Sequence, residues 1–413
     1  QIAYFRRVMR FLLSVFALTS ATVAIAQTAT PATTNAIDYT INKPGSSYAF
    51  TPSKLLAATP VEDQCRTSTC WSYSTLSLLE SELIRLGKGQ HNLSQMYVAR
   101  CAYTEKAKTY LRMNGNHSFD QGGEGWDIPS IVSQYGMVPE SVYTGLKNGA
   151  TRHDHSEMIA VLKGFMGALV KRETGTYTES WLPAFEGILD AYLGPIPKEF
   201  TYEGKTYTPQ TFAASLGLNM SDYVALTSFT HHPNYSAFVI EVPDNWAMDR
   251  AYNLPLEEFA QSVKTALNKG YTVAWAADVS EKGFSFRDGL AIVPADESTI
   301  KKIGSDNAGF NDAGAKKEGN AFSQPVAEMT ITPSVRQAAF DRQSTTDDHG
   351  MHIVGMSTEK NGTTYFLVKN SWGTGNALGG YFYVSEAYFK YKTISVMLHK
   401  DAVDKGMSKK LGF

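Results

Sequence analysis

Gln64-Cys65-Arg66-Thr67-Ser68-Thr69-Cys70-Trp71-Ser72-Tyr73-Ser74 is the stretch on which the reading of the whole chain turns. Leu76, Leu78, Leu79, Leu83, Ile84 and Leu86 follow it at helical spacing, so Cys70 falls in the first turn of a helix. Backbone N–H groups there have no partner within the helix, and the helix dipole is positive. Both favour a thiolate over a thiol. Gln64 stands on the loop that feeds the helix, where a side-chain amide can donate to the oxyanion of a tetrahedral intermediate. Taken alone, Cys70 also reads as a small buried residue at a helix start. Two further stretches decide between these readings.

The first is Asp347-Asp348-His349-Gly350-Met351, which opens a strand-like run to Gly355. The second is Val368-Lys369-Asn370-Ser371-Trp372-Gly373. Together with Gln64 and Cys70-Trp71-Ser72-Tyr73-Ser74, these segments resemble the motifs of papain-like cysteine peptidases, in the same order. The inserted segments are similar to those of the bleomycin hydrolase and aminopeptidase C branch, and within it to exported members from Bacteroidetes-type bacteria. The resemblance runs from about Ser53 to Phe413.

The resemblance implies an α+β fold, with a helical half carrying Cys70, a β-rich half carrying His349 and Asn370, and a cleft between them. Periodicity by itself supports only helices first and strands later. Cys70 is the expected nucleophile and His349 the base that takes its proton, giving a thiolate–imidazolium pair. Asn370 would fix the tautomer and orientation of the imidazole, and Trp372 would shield their bond from water. Gln64 and the Cys70 N–H would form the oxyanion hole. His352 is the competing base, but strand alternation turns it to the opposite face. Gly122 and Gly123 precede Trp126 and Gln134-Tyr135-Gly136 at the family's spacing; with Trp71 and Trp372 they complete the expected substrate-binding set. A residue without a Cβ lets a substrate backbone come close.

Further from these motifs, residues 1–26 read as a secretory signal peptide. Arg6, Arg7 and Arg10 precede an apolar run from Phe11, which ends in Ala24-Ile25-Ala26. Residues 27–50, rich in Thr, Ala and Pro at their start, read as a flexible linker. Residues 51–145 form the helical half, 146–250 an inserted subdomain, 251–399 the β-rich half and 400–413 a tail. Ser94 is a candidate helix N-cap, and Asn361-Gly362 signals a hairpin. Lys301 to Ser323 is polar and Gly-rich and reads as a mobile surface loop. In the branch resembled, the C-terminal carboxylate enters the cleft and holds the substrate's amino group, and six subunits form a ring. A homo-oligomer is therefore an expectation, although the tail here is shorter than that arrangement calls for.

Composition narrows the function classes. Apolar residues make up 43% and charged residues 19%, as in ordinary globular proteins. The net charge of −2 gives no footing for nucleic acid or an anionic membrane. The partners expected are peptides, with no membrane association once the leader is removed. Three cysteines do not make a disulfide framework; a Cys65–Cys101 pair and two separate thiols both stay open. His153, His155, His231 and His232 read as surface or turn histidines, because no Cys or clear carboxylate set completes a metal site in sequence. No cofactor is expected. Three readings stand: an exported aminopeptidase with a Cys-His-Asn site, a papain-like endopeptidase, and a non-catalytic peptide-binding relative.

Overall fold

A computed structural model describes residues 37–173, 175–303 and 316–413. The expected signal peptide, the first part of the expected linker and most of the 301–323 loop lie outside these residues.

The first half is β1 (Phe50–Leu55), α1 (Cys70–Arg85), α2 (Gln95–Arg112), α3 (Asp127–Tyr135), α4 (Ser156–Val170) and α5 (Trp181–Leu193). A small hairpin follows, β2 (Phe200–Tyr202) and β3 (Lys205–Tyr207), then α6 (Pro209–Leu216), β4 (Tyr223–Thr227), β5 (Ala237–Val239) and β6 (Arg250–Asn253). The second half runs α7 (Leu256–Asn268), β7 (Val273–Ala277), β8 (Phe284–Ser285), β9 (Leu290–Ala291), β10 (Lys301–Ile303), β11 (Lys316–Glu318) and α8 (Pro333–Asp341). It closes with β12 (His349–Glu359), β13 (Thr364–Lys369), β14 (Tyr381–Ser385), α9 (Glu386–Lys392), β15 (Thr393–His399) and α10 (Lys405–Leu411).

One large sheet organises the molecule, in the order β5-β6-β4-β15-β7-β12-β13-β14-β9-β8, with β1 also paired to β12. Strand β12 is its spine. It pairs with β7 through His349↔Ala277 and with β13 through His352↔Lys369. Met351 and Ile353 enter the core shared with α7, while His352 turns to α1, where its Nδ1 meets Ser77 Oγ at 2.9 Å. Strand alternation therefore separates the two faces as expected.

Helix α1 lies between the sheet and the helical layer. It is buried all round from Cys70 to Leu83, not on one face as its leucines alone suggest. Of its buried polar groups, Glu80 accepts from the Leu93 N–H at 2.8 Å and from Thr59 Oγ1 at 2.5 Å. Helix α2 starts where expected, with Ser94 Oγ accepting from the Tyr97 N–H at 3.0 Å.

Two stretches differ from the sequence reading. Of the expected linker, residues 37–50 are anchored. Asn42 is fully buried and donates to the carbonyls of Asp288 and Phe322, and Phe50 stacks on Tyr383 with ring centroids 3.9 Å apart. Their few aromatic and amide groups find long-range partners that local composition does not reveal. Residues 146–250 share core and sheet with the rest of the chain. Phe185 and Leu189 of α5 join the core of α1 and α2, and β4 pairs with β15 through Val396↔Leu226.

Candidate active site

Cys70 is the first residue of α1. Thr69 precedes it with no side-chain capping bond, so the opening N–H groups are left to other acceptors. The N–H groups of Gly350 and Trp71 bond the Cys70 sulfur and favour its thiolate. Burial outweighs them and, helped by the charges of Asp347 and Asp244, pushes the thiol up to about 12.

Gly350 brings the second component. A Cβ at Gly350 would lie 2.9 Å from Ser74 Oγ and 3.2 Å from the Trp71 backbone. Only glycine lets β12 come this close to the first turn of α1, and the neighbouring His349 is carried to the Cys70 cavity by that approach.

The imidazole is held on two sides. Its Nε2 is 2.7 Å from Asn370 Oδ1, and Trp372 stacks on the ring with centroids 4.5 Å apart at 26°. Asn370 Oδ1 also accepts the Ser371 N–H at 2.8 Å, which fixes the amide orientation. Nε2 must then carry the hydrogen and donate, which leaves the Nδ1 lone pair free for a proton. Burial pushes His349 down to about 4; the Asn370 bond and the charge of Asp348 act against this. Burial disfavours either charge alone.

His352 does not reach this cavity. Lys369 Nζ donates to Ser77 Oγ at 2.7 Å, so Ser77 donates its own hydrogen to His352 Nδ1. Among the described residues, Cys65, Cys70 and Cys101 are all free thiols.

Gln64 is held in place by its hydrogen bonds. Its Nε2 donates to Thr67 O at 2.7 Å, and its Oε1 accepts from Ser371 Oγ at 2.7 Å. The Gln64 N–H also donates to Ser371 O at 2.8 Å. The amide thus stitches the Cys70 loop to the Asn370 loop, and Gln64 is not on the cavity wall. The glycine pair is also occupied. A Cβ at Gly122 would strike Asp244 Oδ2 at 1.7 Å, and one at Gly123 would meet the Trp71 ring at 3.0 Å. The room those glycines provide is filled by protein side chains. Trp71 lines the cavity, with its indole N–H donating to Gln121 O at 3.1 Å.

Sequence reasoning missed the carboxyl groups of this cavity. Glu124, Asp244, Asp347 and Asp348 line it beside Cys70 and His349. Burial pushes Asp347 up to about 7 and Glu124 well above its ordinary range. The Gly-Gly-Glu and Asp-Asp-His segments contain three of the four, but nothing local shows that they meet. The tail also differs. Lys410 bonds Glu258 at 3.3 Å, and the Phe413 ring packs on Tyr252 with centroids 5.2 Å apart. Met407 and Leu411 are buried in the core of α7, and none of residues 400–413 lines the cavity.

His231 and His232 converge with Glu241, at 3.0 and 3.1 Å, although no carboxylate was evident from sequence. Gln337 Oε1 accepts the Thr230 N–H at 2.6 Å, so its Nε2 donates to His231 Nδ1 at 3.0 Å. The hydrogen of His231 therefore sits on Nε2 and points at Glu241, so this ring offers that carboxylate a donor rather than offering a metal a lone pair.

The Peptidase C1-like family matches residues 322–412, which carry His349 and Asn370. The chain is 22% identical to an aminopeptidase C of Listeria innocua serovar 6a, over 84% of this chain and 81% of that one. It is 23% identical to an aminopeptidase C of Listeria monocytogenes, over 90% and 87%. An aminopeptidase G of Lactobacillus delbrueckii subsp. lactis is 22% identical, over 84% and 82%. Among solved structures, pepW from Lactobacillus rhamnosis superposes with a TM-score of 0.65 at 19% identity, covering 88% of this chain and 84% of that one. The chain is a cysteine-type peptidase of papain-like fold.

Proposed function

We propose that Cys70, His349 and Asn370 hydrolyse peptide bonds, and that the protein acts as an exported aminopeptidase. The observation that carries the catalytic assignment is the His349 Nε2–H···Oδ1 Asn370 bond, which leaves Nδ1 as the free base in the cavity that Cys70 shares. As the sulfur attacks the substrate carbonyl carbon, the thiol proton passes to Nδ1. The Cys70 backbone N–H is positioned at the helix start to receive the oxyanion, and the second Nε2 hydrogen of Gln64 is the candidate to join it. The imidazolium then gives its proton to the leaving amine, and a thioester remains. Water, deprotonated by Nδ1, cleaves the thioester and restores the thiol. Burial disfavours either charge alone, so the thiolate and the imidazolium form together, each stabilising the other.

The names of the relatives support action at a free N-terminus. The endopeptidase reading is favoured by one observation: residues 400–413 do not line the Cys70 cavity. Hydrolysis of an amino-acid amide with a free N-terminus, against its N-acetylated form, separates the two. Preference for the free form supports the aminopeptidase; equal cleavage of both sinks it. Export rests on the basic and apolar pattern of residues 1–26. A mature N-terminus at Gln27 is expected, and uncleaved protein in the cytoplasm would count against it.

A further inference from the structure

We propose that Glu124, with Asp347, Asp244 and Thr75, forms the subsite that receives a primary ammonium group of the substrate and so selects which peptides Cys70 cuts. This rests on the peptidase reading above and deepens it.

The cavity that holds Cys70 and His349 is walled at one side by these four residues. Two of their polar atoms are buried without a partner among the described residues: Glu124 Oε1, on a residue 1% exposed, and Thr75 Oγ1, on a residue 0% exposed. Buried polar atoms are rarely left so, and two orphans on one wall beside a reactive thiol mark a place where a donor is missing. A carboxylate oxygen only accepts, and a threonine hydroxyl can accept as well as donate, so a donor satisfies both.

The charge balance specifies that donor further. Glu124 and Asp347 are hydrogen-bonded to each other, which requires a proton between them. Asp244 adds a third carboxyl group, pressed against Gly122. Among the described residues, none of the three makes an ion pair. Lys106 and Lys163 are the cations that act on Asp244, and the Lys106 ammonium donates to the carbonyls of Asp120, at 2.7 Å, and Gly122. Neither lysine is among the charges acting on Glu124 and Asp347, so the charge that this pair shares favours a cationic ligand.

Size separates the candidate cations. The cavity measures about 30 Å³. One water-sized group needs roughly 10–15 Å³ on this measure, so an ammonium and its methylene fill the space. A planar guanidinium, with four heavy atoms, does not fit. An ammonium also has three hydrogens to give, matching Glu124 Oε1, Thr75 Oγ1 and the remaining carboxylate oxygens.

Two sources supply such a group: the α-ammonium of a free N-terminus, or a lysine side chain within a longer peptide. Three substrates distinguish them: a leucine amide with a free N-terminus, its N-acetylated form, and an N-acetylated lysyl-leucine amide. Expected is a ratio of kcat/KM, free over acetylated, on the order of tenfold to a hundredfold, from one charge-assisted contact. Glu124→Gln keeps a hydrogen-bonding partner for Asp347 and takes from the subsite one of the two carboxyl groups that share its charge, so the ratio should fall towards one. Thr75→Val should lower it by a smaller factor. Recovery of the lysyl substrate to the level of the free one assigns a side-chain ammonium as well as an N-terminal one. An unchanged ratio in Glu124→Gln overturns the subsite while leaving the peptidase intact. Failure of the wild type to cleave any of the three counts against the peptidase reading instead.

In that case binding still decides the subsite. Leucinamide, but not N-acetyl-leucinamide, should protect Cys70 from iodoacetamide in the wild type. Equal protection by both, or by neither, refutes the ammonium site.

Discussion

Replacing Asn370 with alanine removes one oxygen, Oδ1, which accepts from two donors: His349 Nε2–H at 2.7 Å and the Ser371 N–H at 2.8 Å. Trp372 still covers one face of the imidazole, so the ring stays near its place. What is lost is the fixed tautomer and the partner of the imidazolium that forms during attack. Burial already pushes His349 down to about 4, and the Asn370 bond is the larger of the two influences opposing it. A hydrogen bond to a charged group contributes about 1.5–3 kcal/mol. At 1.4 kcal/mol per decade, kcat should fall by roughly tenfold to a hundredfold. KM should change little, because the bond strengthens only as charge develops. The assay is steady-state hydrolysis of the free amide, with thermal unfolding followed in parallel to separate misfolding from misorientation. A kcat within about threefold of the wild type, or a loss confined to KM, would refute the reasoning.

His349→Ala should lower kcat by on the order of 10³ or more, whereas His352→Ala should act through stability, at about 1–3 kcal/mol, because its bond is to Ser77. If the His352 variant is the inactive one, the base is misassigned. Glu124→Gln should also report on stability. Glu124 faces Asp347, Asp127 and Asp244, and burial raises its carboxyl well above the ordinary value, so folding favours its protonated form. That contribution is complete below the unfolded pKa, roughly 4, and is lost as pH rises through the folded one. Asp347, its hydrogen-bonded partner, ionises at about 7 in the same direction. The variant should therefore match the wild type near pH 4 and gain on it towards pH 8, by about 1.4 kcal/mol for each unit of elevation removed. A gain that is larger at pH 4 than at pH 8 contradicts the sign.

The three motif residues were legible because each brings its local context: Cys70 a helix start, His349 a strand opening with Gly350, and Asn370 a strand end followed by Trp372. The Ser94 cap and the hairpin at Asn361-Gly362 were legible for the same reason, since both are set within a few residues. What stayed hidden depends on distant partners. Asp244 fills the space beside Gly122 from more than 100 residues away, and Glu124 meets Asp347 across the cleft. Strands β4 to β6 are short, and their place beside β15 is a long-range choice that no local period encodes. Gln64 had the expected position in sequence, but the destination of its amide depends on Thr67 and Ser371. The tail's path was open because two apolar residues, Met407 and Leu411, decide where it docks.

The central claim is that Cys70, among three free thiols, is the nucleophile. Inactivation by an epoxide or haloacetamide probe, followed by peptide mapping, tests it most directly. The expected result is one adduct per chain, on Cys70, formed in step with loss of hydrolysis, and no activity in Cys70→Ala. An adduct on Cys65 or Cys101 that tracks the loss, or hydrolysis above a few per cent in purified Cys70→Ala, would contradict it.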